Sequence, residues 1–338
     1  MPPGIPTSSS AVKVLITGGA GFLGRRLADE LVERGTLKGT DARDHALDEI
    51  VLLDIVPAEG YSDARIRMIV GDISDAALLH RAIDRNTGSV FHLAAIVSGQ
   101  AEADFDLGMR INVDASRSLL EACRACGHRP RVVFTSSVAV YGGDLPATVP
   151  DSTALNPQSS YGTQKAIGEL LINDYSRKGY IDGRVLRLPT ISVRPGKPNR
   201  AASSFASGII REPLNGEQST CPIAPETRVW LLSPRKAIEG LILGHELPAQ
   251  ALGLSRVVNL PGICVTAREM LAALERVAGT EAAKRVRWER DAATDRIVAS
   301  WPGAWDTRRA EALGFSGDAD FDSIIRAYIE DELKYPGA

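Results

Sequence analysis

A glycine-rich turn between a strand and a helix restricts the fold of this sequence more than any other feature. Residues 12–17 form an apolar, β-branched run, and the segment 17–24 (TGGAGFLG) follows it directly. The apolar residues of 21–34 then recur at helical spacing. In this context the glycines allow a tight turn, let the backbone approach a pyrophosphate, and let helix and strand pack closely. We therefore predict a dinucleotide-binding turn rather than a purely structural one. Its predicted cofactor-binding residues are Gly18, Gly21, Phe22, Leu23 and Gly24.

Short apolar runs alternate with amphipathic stretches through the first half of the chain. This alternation favours a parallel sheet covered by helices on both faces. The predicted fold class is therefore α/β, a doubly wound Rossmann sheet. A polar stretch at 35–49 is longer than the usual connection between two elements. The predicted strands are residues 12–17, 50–54, 66–70, 89–93, 132–136 and 184–188.

After about residue 189 this alternation ends, and prolines become frequent. Two further helical patterns follow, at 266–278 and 321–334. We predict three parts of the chain, with a smaller C-terminal substrate-binding region whose late elements return to the Rossmann domain. The predicted boundaries are 1–10 for a flexible leader, 11–190 for the Rossmann domain and 191–338 for the substrate-binding region.

The composition argues against several classes of partner. The net charge of −3 over 338 residues gives no basic field for nucleic acid or an anionic membrane. No apolar run approaches the roughly 18 residues that a membrane-spanning helix needs. The first ten residues, MPPGIPTSSS, lack the basic and apolar pattern of a secretion signal. We expect a cytoplasmic protein that binds neither nucleic acid nor membrane.

The cysteines and histidines do not form a recognisable metal site. Four cysteines are too few to cross-link a chain of this length, which favours a reducing compartment. Cys123 and Cys126 form a C-x-x-C pattern inside a helix-like segment. No second cysteine pair or histidine couplet completes a zinc site. We therefore interpret them as helix thiols and predict no metal.

Two acidic residues at strand ends point to the adenosine half of a dinucleotide. Asp54 ends the second strand, where a carboxylate accepts hydrogen bonds from ribose hydroxyls and repels a 2′-phosphate, so NAD is favoured over NADP. Asp72 and Ile73 follow the third strand, within reach of an adenine. The alternative interpretation of Asp54 is a cap at the end of a strand, and that of Asp72 is the N-cap of a helix. After the next strand, we expect the backbone to pass the cofactor at Leu93, Ala94 and Ala95.

A tyrosine and a lysine four residues apart open a later helix. Tyr161 and Lys165 share one helical face. A free tyrosine has a pKa of about 10, and a neighbouring ammonium and an oxidised nicotinamide both favour its phenolate. The spacing alone is common by chance, but Ser137 ends a strand beyond the switch point, where ligands bind. We predict Ser137, Tyr161 and Lys165 as a hydride-transfer set.

With these motifs the sequence resembles the extended short-chain dehydrogenases/reductases, a superfamily that also contains nucleotide-sugar epimerases and dehydratases. The resemblance runs from the glycine turn to residues 305–315 (WDTRRAEALGF), which are similar to a C-terminal motif of the family. It implies Ser137 as the catalytic serine, Tyr161 as the acid/base and Lys165 as its assisting lysine. It also implies a homodimer through helices of the Rossmann half. The resemblance further adds Asn112, and the strand end adds Pro189, to the predicted cofactor-binding residues.

Departures from the epimerases bear on the substrate. Arg228 matches an arginine that holds a sugar-nucleotide diphosphate, but the acidic residues expected after it are replaced by residues 234–236 (PRK). The asparagine-containing turn expected after the sixth strand is also missing from 188–199. Both departures count against an epimerase.

The segment 194–211 resembles the D-erythronate dehydrogenase group of this superfamily. That resemblance implies NAD-dependent oxidation of D-erythronate at C2 to 2-oxo-erythronate, a step in four-carbon sugar-acid catabolism. Independently, Arg194, Lys197 and Arg200 can hold a small carboxylate, although a solvated basic loop is the alternative. The predicted substrate residues are Ser98, Ser137, Tyr161, Arg194, Asn199, Ser203 and Arg235.

Two other functions remain open from the sequence. A nucleotide-sugar 4-epimerase or dehydratase uses the same residues and keeps its NAD between half-reactions. A non-catalytic, dinucleotide-sensing Rossmann protein commonly lacks the tyrosine or the lysine, and this chain has both. A dehydrogenase acting on a small sugar acid is the predicted function.

Overall fold

The computed structural model describes residues 12–333, so the predicted leader at 1–10 and Lys334 lie outside the described residues. The strands are β1 (Val12–Thr17), β2 (Thr36–Lys38), β3 (Asp44–Asp54), β4 (Ile66–Val70), β5 (Thr87–His92), β6 (Arg131–Ser137), β7 (Asp182–Leu188), β8 (Thr190–Ile191), β9 (Ser219–Cys221), β10 (Arg228–Leu232), β11 (Val257–Asn259), β12 (Ile263–Thr266) and β13 (Val286–Trp288).

The α-helices are α1 (Phe22–Arg34), α2 (Ala76–Ala82), α3 (Ser98–Ala103), α4 (Phe105–Gly108), α5 (Ala115–Cys126), α6 (Ser160–Arg177), α7 (Phe205–Leu214), α8 (Pro234–Glu246), α9 (Ala267–Ala278), α10 (Thr280–Ala283), α11 (Ala292–Ala299), α12 (Arg308–Ala312) and α13 (Phe321–Tyr328). A π-helical turn, Met109–Asp114, joins α4 to α5, and another, Ile329–Leu333, follows α13.

An eight-stranded sheet forms the centre of the molecule. Its parallel strands lie in the order β4–β3–β1–β5–β6–β7–β11. The chain therefore moves outward from β1 in one direction and then from β5 in the other. This order confirms the predicted doubly wound α/β class. It also opens a crevice at the carboxyl ends of β1 and β5, where such folds bind their ligands.

Helices cover both faces of the sheet because its central strands are apolar on both sides. Along β1, Val14 and Ile16 join one core and Leu15 joins the other. The first core is completed by α1 and α8, and the second by α2, α5 and α6. Two buried cores therefore fix the strand ends that form the crevice.

The polar stretch at 35–49 is a β-hairpin, which the sequence did not predict. Residues of β2 pair in antiparallel fashion with the start of β3, from Thr36 opposite Ala46 to Lys38 opposite Asp44. The second strand therefore begins at Asp44 instead of residue 50. This hairpin lies at the sheet edge, where exposed polar side chains interrupt the apolar pattern. Leu37 and Leu47 alone supply its buried contacts.

The later part of the chain forms a second body over the carboxyl end of β7. There β8 begins two residues after β7 ends and pairs with β10, which also pairs with β12. The helices α7, α9 and α13 share a third apolar core with β10. Because β11 and α8 pack with the central sheet, the domain boundary at residue 190 stays a prediction. Within residues 12–333, no helix is long and apolar enough to cross a bilayer.

Candidate active site

A cavity of about 650 Å³ opens at the carboxyl ends of the central strands. Its walls are the glycine turn, the ends of β3 to β7, the first turn of α6, and the segment between residues 190 and 203. Its size is in the range of pockets that bury a small organic ligand. The cavity therefore lies where strand order and elementary fold rules place a ligand.

The glycine turn brings the first turn of α1 against this cavity. Gly24 allows the close packing, since a Cβ there would lie 2.2 Å from the carbonyl oxygen of Gly18. Gly21 caps the helix, and the first backbone N–H groups of α1 have no partner within the helix. These N–H groups and the helix dipole suit a pyrophosphate, so the residues present fit a dinucleotide.

The acidic residues at the strand ends are held by backbone N–H groups. The carboxylate of Asp54 accepts hydrogen bonds from the backbone of Ala20 at 3.0 Å and of Ile55 at 2.8 Å. Asp72 accepts from the backbone of Ser74 at 2.8 Å. The N-cap of α2 is Asp75, so Asp72 does not serve as that cap. Both Asp54 and Asp72 line the cavity.

Ser137, Tyr161 and Lys165 meet at the end of β6. Ser137 is the last residue of that strand and shares a hydrogen bond with the phenol of Tyr161. Tyr161 and Lys165 lie one turn apart on α6, which begins beside the same strand end. The residue that follows Tyr161 must be glycine, because a Cβ at Gly162 would lie 2.1 Å from the carbonyl oxygen of Ala139.

Burial acts in opposite directions on the two titratable groups of this set. It raises the pKa of Tyr161 to about 12, against the hydrogen bond from Ser137 and the charge of Arg194, which both lower it. Burial also lowers the pKa of Lys165 to about 7, and the carboxylate of Glu169 opposes that shift. Tyr161 therefore keeps its proton at neutral pH unless further positive charge enters the cavity.

The positive charge that acts on the Tyr161 phenol comes from a different residue than the sequence suggested. The ammonium of Lys165 donates to the carbonyl oxygen of Thr135 at 2.9 Å and lies 5.7 Å from the centre of the Tyr161 ring. Arg194 is the cation whose field lowers the pKa of the phenol. Arg194 and Tyr161 line the same cavity.

Arg194 is held in place by three polar neighbours. Its backbone N–H donates to Ser207 Oγ at 2.9 Å, and its guanidinium donates to Ser203 Oγ at 3.4 Å. Arg211 donates to the carbonyl oxygen of Arg194 at 2.8 Å. Burial lowers the pKa of Arg194 to about 10, and the charge of Arg211 acts in the same direction. Arg194 is therefore still a cation at neutral pH.

The remaining predicted substrate residues shape the loop beside Arg194. Ser98 Oγ accepts from the backbone of Ala202 at 3.0 Å, and Asn199 Oδ1 accepts from the backbone of Ala201 at 3.0 Å. Both side chains line the cavity, as does Ser203. The other predicted residues that line it are Ile73, Leu93, Ala94, Ala95 and Pro189. Contact of any of these residues with a ligand stays a prediction.

Asn112 does not line the cavity, and its contact with a cofactor stays a prediction. Its Oδ1 accepts from the backbone of Ile96 at 2.8 Å. Its Nδ2 donates to the carbonyl oxygen of Ile96 at 3.0 Å and to Gln164 Oε1 at 2.7 Å. The amide is therefore engaged in holding the segment after β5 against α6.

Arg235 also lies outside the cavity, so its contact with a substrate stays a prediction. Its guanidinium forms ion pairs with Glu330 and Asp331 in the last described turn. The reason is local: β10 ends at Leu232 and α8 begins at Pro234, so the chain turns away from the site.

Several residues of the cavity wall were not predicted. Among them, Arg110 lies in the π-helical turn before α5, and Trp301 follows α11. Neither belongs to a motif, and an isolated arginine or tryptophan carries no positional signal in a sequence. Other unpredicted lining residues are Leu53, Ile55, Gly71, Ile96, Val97, Gln100, Leu107, Ile111, Thr135, Ser136, Val138, Leu188, Thr190, Ile191 and Ala201.

The C-x-x-C cysteines lie away from this site. Cys123 is buried in the second core, and burial raises its pKa. Cys126 is partly exposed at the end of α5. In the part of the chain between residues 12 and 333, no group of three or more His, Cys, Asp or Glu side chains is arranged to hold a metal ion.

Comparison with known proteins settles the family. The model of the NAD dependent epimerase/dehydratase family matches residues 14–230. The chain belongs to this family. Its membership confirms the expected relation to the extended short-chain dehydrogenases/reductases, and with it a nicotinamide cofactor.

Individual members of the family are similar in sequence to this chain over most of its length. It is 66% identical to the D-erythronate dehydrogenase of Cupriavidus necator, over 95% of this chain and 98% of the relative. It is 46% identical to the D-erythronate dehydrogenase of Haemophilus influenzae, over 95% of this chain and 100% of the relative.

A solved structure, the nucleoside-diphosphate-sugar epimerase from Agrobacterium tumefaciens, superposes with a TM-score of 0.90. It is 41% identical and covers 97% of this chain and 96% of its own. Together with the two dehydrogenases, this neighbour confirms the prediction of an oxidoreductase on a Rossmann fold.

Proposed function

We propose that this chain oxidises D-erythronate at C2 to 2-oxo-erythronate, with NAD as the hydride acceptor. The observation that carries the proposal is the position of Arg194, a half-buried cation that lines the same cavity as Tyr161 and lowers the pKa of its phenol. In a 2-hydroxy acid the carboxylate is bonded to the carbon that is oxidised, so its cation must lie beside the acid/base. The names of the two dehydrogenase relatives agree with this substrate.

Three groups of residues in the cavity wall would bind the three parts of the cofactor. The N–H groups of α1 would hold the pyrophosphate, and Asp54 and Asp72 would hold the adenosine. Lys165 would bind the nicotinamide ribose. The carboxylate of Asp54 would repel a 2′-phosphate, which supports NAD over NADP. When bound, the oxidised nicotinamide accepts the hydride from C2 and adds a positive charge to the cavity.

The chain's own residues then handle the substrate and its proton. Arg194 binds the carboxylate, and the hydroxyl of Ser137 hydrogen-bonds the C2 oxygen. Tyr161 Oη accepts the proton of the C2 hydroxyl. The added positive charge brings the pKa of the phenol down from its raised value. Lys165 holds α6 against β6 through its hydrogen bond to the carbonyl oxygen of Thr135.

A nucleotide-sugar epimerase is the second candidate, favoured by the 41% identity to the Agrobacterium neighbour. The surroundings of Arg228, the expected diphosphate arginine, speak against it. Arg228 is absent from the cavity wall, and its guanidinium lies 3.7 Å from Cys264 Sγ. Gly303 packs directly on the stem of its side chain. Arg228 is therefore an exposed residue outside the cavity that Tyr161 lines, which counts against its binding a diphosphate there.

A cofactor-reduction assay over a panel of substrates tests this function. The purified chain is mixed with NAD or NADP and with D-erythronate, its C2 epimer, longer sugar acids, or a nucleotide sugar. We expect NADH from D-erythronate and little NADPH. Conversion of the nucleotide sugar without net NADH, combined with no reaction of any acid, would overturn the proposal in favour of the epimerase.

We further infer a homodimer through the helices of the Rossmann half. Two large apolar side chains on those helices support it, since Phe105 on α4 and Leu170 on α6 are more than half exposed. Both side chains would be removed from water if these helices packed against another copy. Light scattering on the purified chain measures the mass, and a monomer at all concentrations would contradict the inference.

A further inference from the structure

Trp301 lines the cavity that contains Arg194. It follows α11, and α11 packs against the turn Ala202–Ser204. That turn carries Ser203, which accepts a hydrogen bond from the Arg194 guanidinium. Both Ala202 and Trp301 pack on the third apolar core. The indole therefore forms part of the wall next to the carboxylate-binding group.

The segment that carries Trp301 is fixed on the side away from the cavity. Val149 donates to the carbonyl oxygen of Ala304 at 3.0 Å and accepts from the backbone of Asp306 at 2.8 Å. The indole of Trp305 donates to the carbonyl oxygen of Leu260 at 2.7 Å. Trp301 itself contacts the third core and the Trp305 cluster. Because packed interiors resist deformation, this wall does not move easily aside.

A fixed apolar wall limits which acids fit. With the carboxylate at Arg194 and C2 at Tyr161, the carbons from C3 onward must occupy the space that remains. Each additional carbon of a sugar acid also carries a hydroxyl, and burying that group against an indole without a hydrogen bond is unfavourable. Steric overlap adds to this cost, since one misplaced carbon changes discrimination by about 10- to 200-fold.

We propose that Trp301 sets the upper chain length of the acid that this enzyme oxidises. The inference rests on the proposed function and deepens it, since it assigns specificity for short sugar acids to one side chain. Nothing in the hydride-transfer set itself measures chain length, because Ser137 and Tyr161 contact only the reacting end.

The test compares kcat/KM for D-erythronate with kcat/KM for five- and six-carbon sugar acids. Trp301→Ala is expected to raise the ratio of long to short acid by about tenfold or more. Trp301→Leu is expected to raise it less, and Trp301→Phe to leave it near the wild-type ratio. Trp288→Ala is the matched control, since Trp288 is partly exposed and lies outside the cavity wall.

Each outcome separates this inference from the proposed function. If the wild type oxidises D-erythronate but the ratio is unchanged in folded Trp301→Ala, the inference alone is overturned. If Trp301→Ala does not fold, an unchanged ratio in Trp301→Leu overturns it equally. If the wild type oxidises no sugar acid, the proposed function fails and this inference fails with it.

Discussion

The ammonium of Lys165 on α6 donates a hydrogen bond to the carbonyl oxygen of Thr135 on β6, at 2.9 Å. Thr135 precedes Ser137 by two residues on the same strand, and Lys165 follows Tyr161 by one helical turn. This single bond therefore connects the helix that carries the phenol to the strand that carries the serine. A site supported by regular elements holds its geometry better than one built on loops.

The shifted pKa of Lys165 predicts how stability depends on pH. Burial lowers that pKa from 10.5 to about 7, so between these values the unfolded chain binds a proton that the folded chain has released. The free energy of unfolding then rises with pH across this window, by at most about 1.4 kcal/mol per pH unit from this group. Lys165→Met should remove that rise.

The measurement is urea unfolding of the cofactor-free wild type and Lys165→Met at several pH values from about 6.5 to 8.5. The difference in unfolding free energy, wild type minus variant, should increase with pH. A difference that stays constant or decreases would show that Lys165 is not held neutral by its surroundings.

Removing the phenol hydroxyl should abolish most of the turnover while leaving the cofactor bound. In Tyr161→Phe we expect kcat to fall by about 10² to 10⁴, the usual contribution of a positioned acid/base. The dissociation constant for NADH should change little, because Lys165 and the glycine turn are untouched. Tyr180→Phe is the control, since Tyr180 packs under Arg124 on the surface. Turnover near the wild-type value in Tyr161→Phe would refute the role of the phenol.

Arg194 and Arg235 form a pair of variants that separates carboxylate binding from general charge. Arg194→Met should raise KM for the acid by about 10- to 100-fold, as expected for loss of a charged hydrogen bond. Arg235→Met removes the same charge at a position paired with Asp331 outside the cavity. Its KM should be unchanged. An equal increase of KM in both variants would mean that Arg194 acts only through the overall electrostatic field of the protein.

Asp54 should determine which dinucleotide is preferred. Its carboxylate is fixed by the backbone of Ala20 and faces the cavity. In Asp54→Asn the repulsion of a 2′-phosphate is lost, and the preference for NAD over NADP should fall by about tenfold, equivalent to ~1.4 kcal/mol. Asp72→Asn should weaken both cofactors without changing their ratio. The prediction fails if kcat/KM for NADP stays as low in Asp54→Asn as in the wild type.

The parts of the fold that repeat one physical pattern could be predicted from the sequence. The strand β1 is buried and apolar on both faces, so it was predicted at its observed bounds. The partly exposed edge strand β4 was also predicted at its observed bounds, from its short apolar run. The hairpin of β2 and β3 was missed because an edge strand needs few apolar residues. Its pairing partner, rather than its own sequence, makes it a strand.

The candidate site also contains residues that could be predicted from the sequence and residues that could not. Residues in motifs, such as Gly24 and Tyr161, line the cavity because the motif includes the strand or helix that positions them. Trp301 could not be predicted, since it reaches the cavity through the packing of α11, far along the chain. Arg235 was predicted as a substrate residue, whereas the turn before α8 directs it toward Asp331, outside the cavity.

The most direct test of the account is the stoichiometry of the reaction with D-erythronate. The purified chain, excess NAD and a known amount of the acid are brought to completion with a trap for 2-oxo acids. The proposed reaction should form one NADH for each D-erythronate consumed, and the 2-oxo acid portion of the trapped adduct should have two hydrogens fewer than the substrate. Unchanged D-erythronate with no net NADH, while a nucleotide sugar is epimerised by cofactor that stays bound, would contradict it.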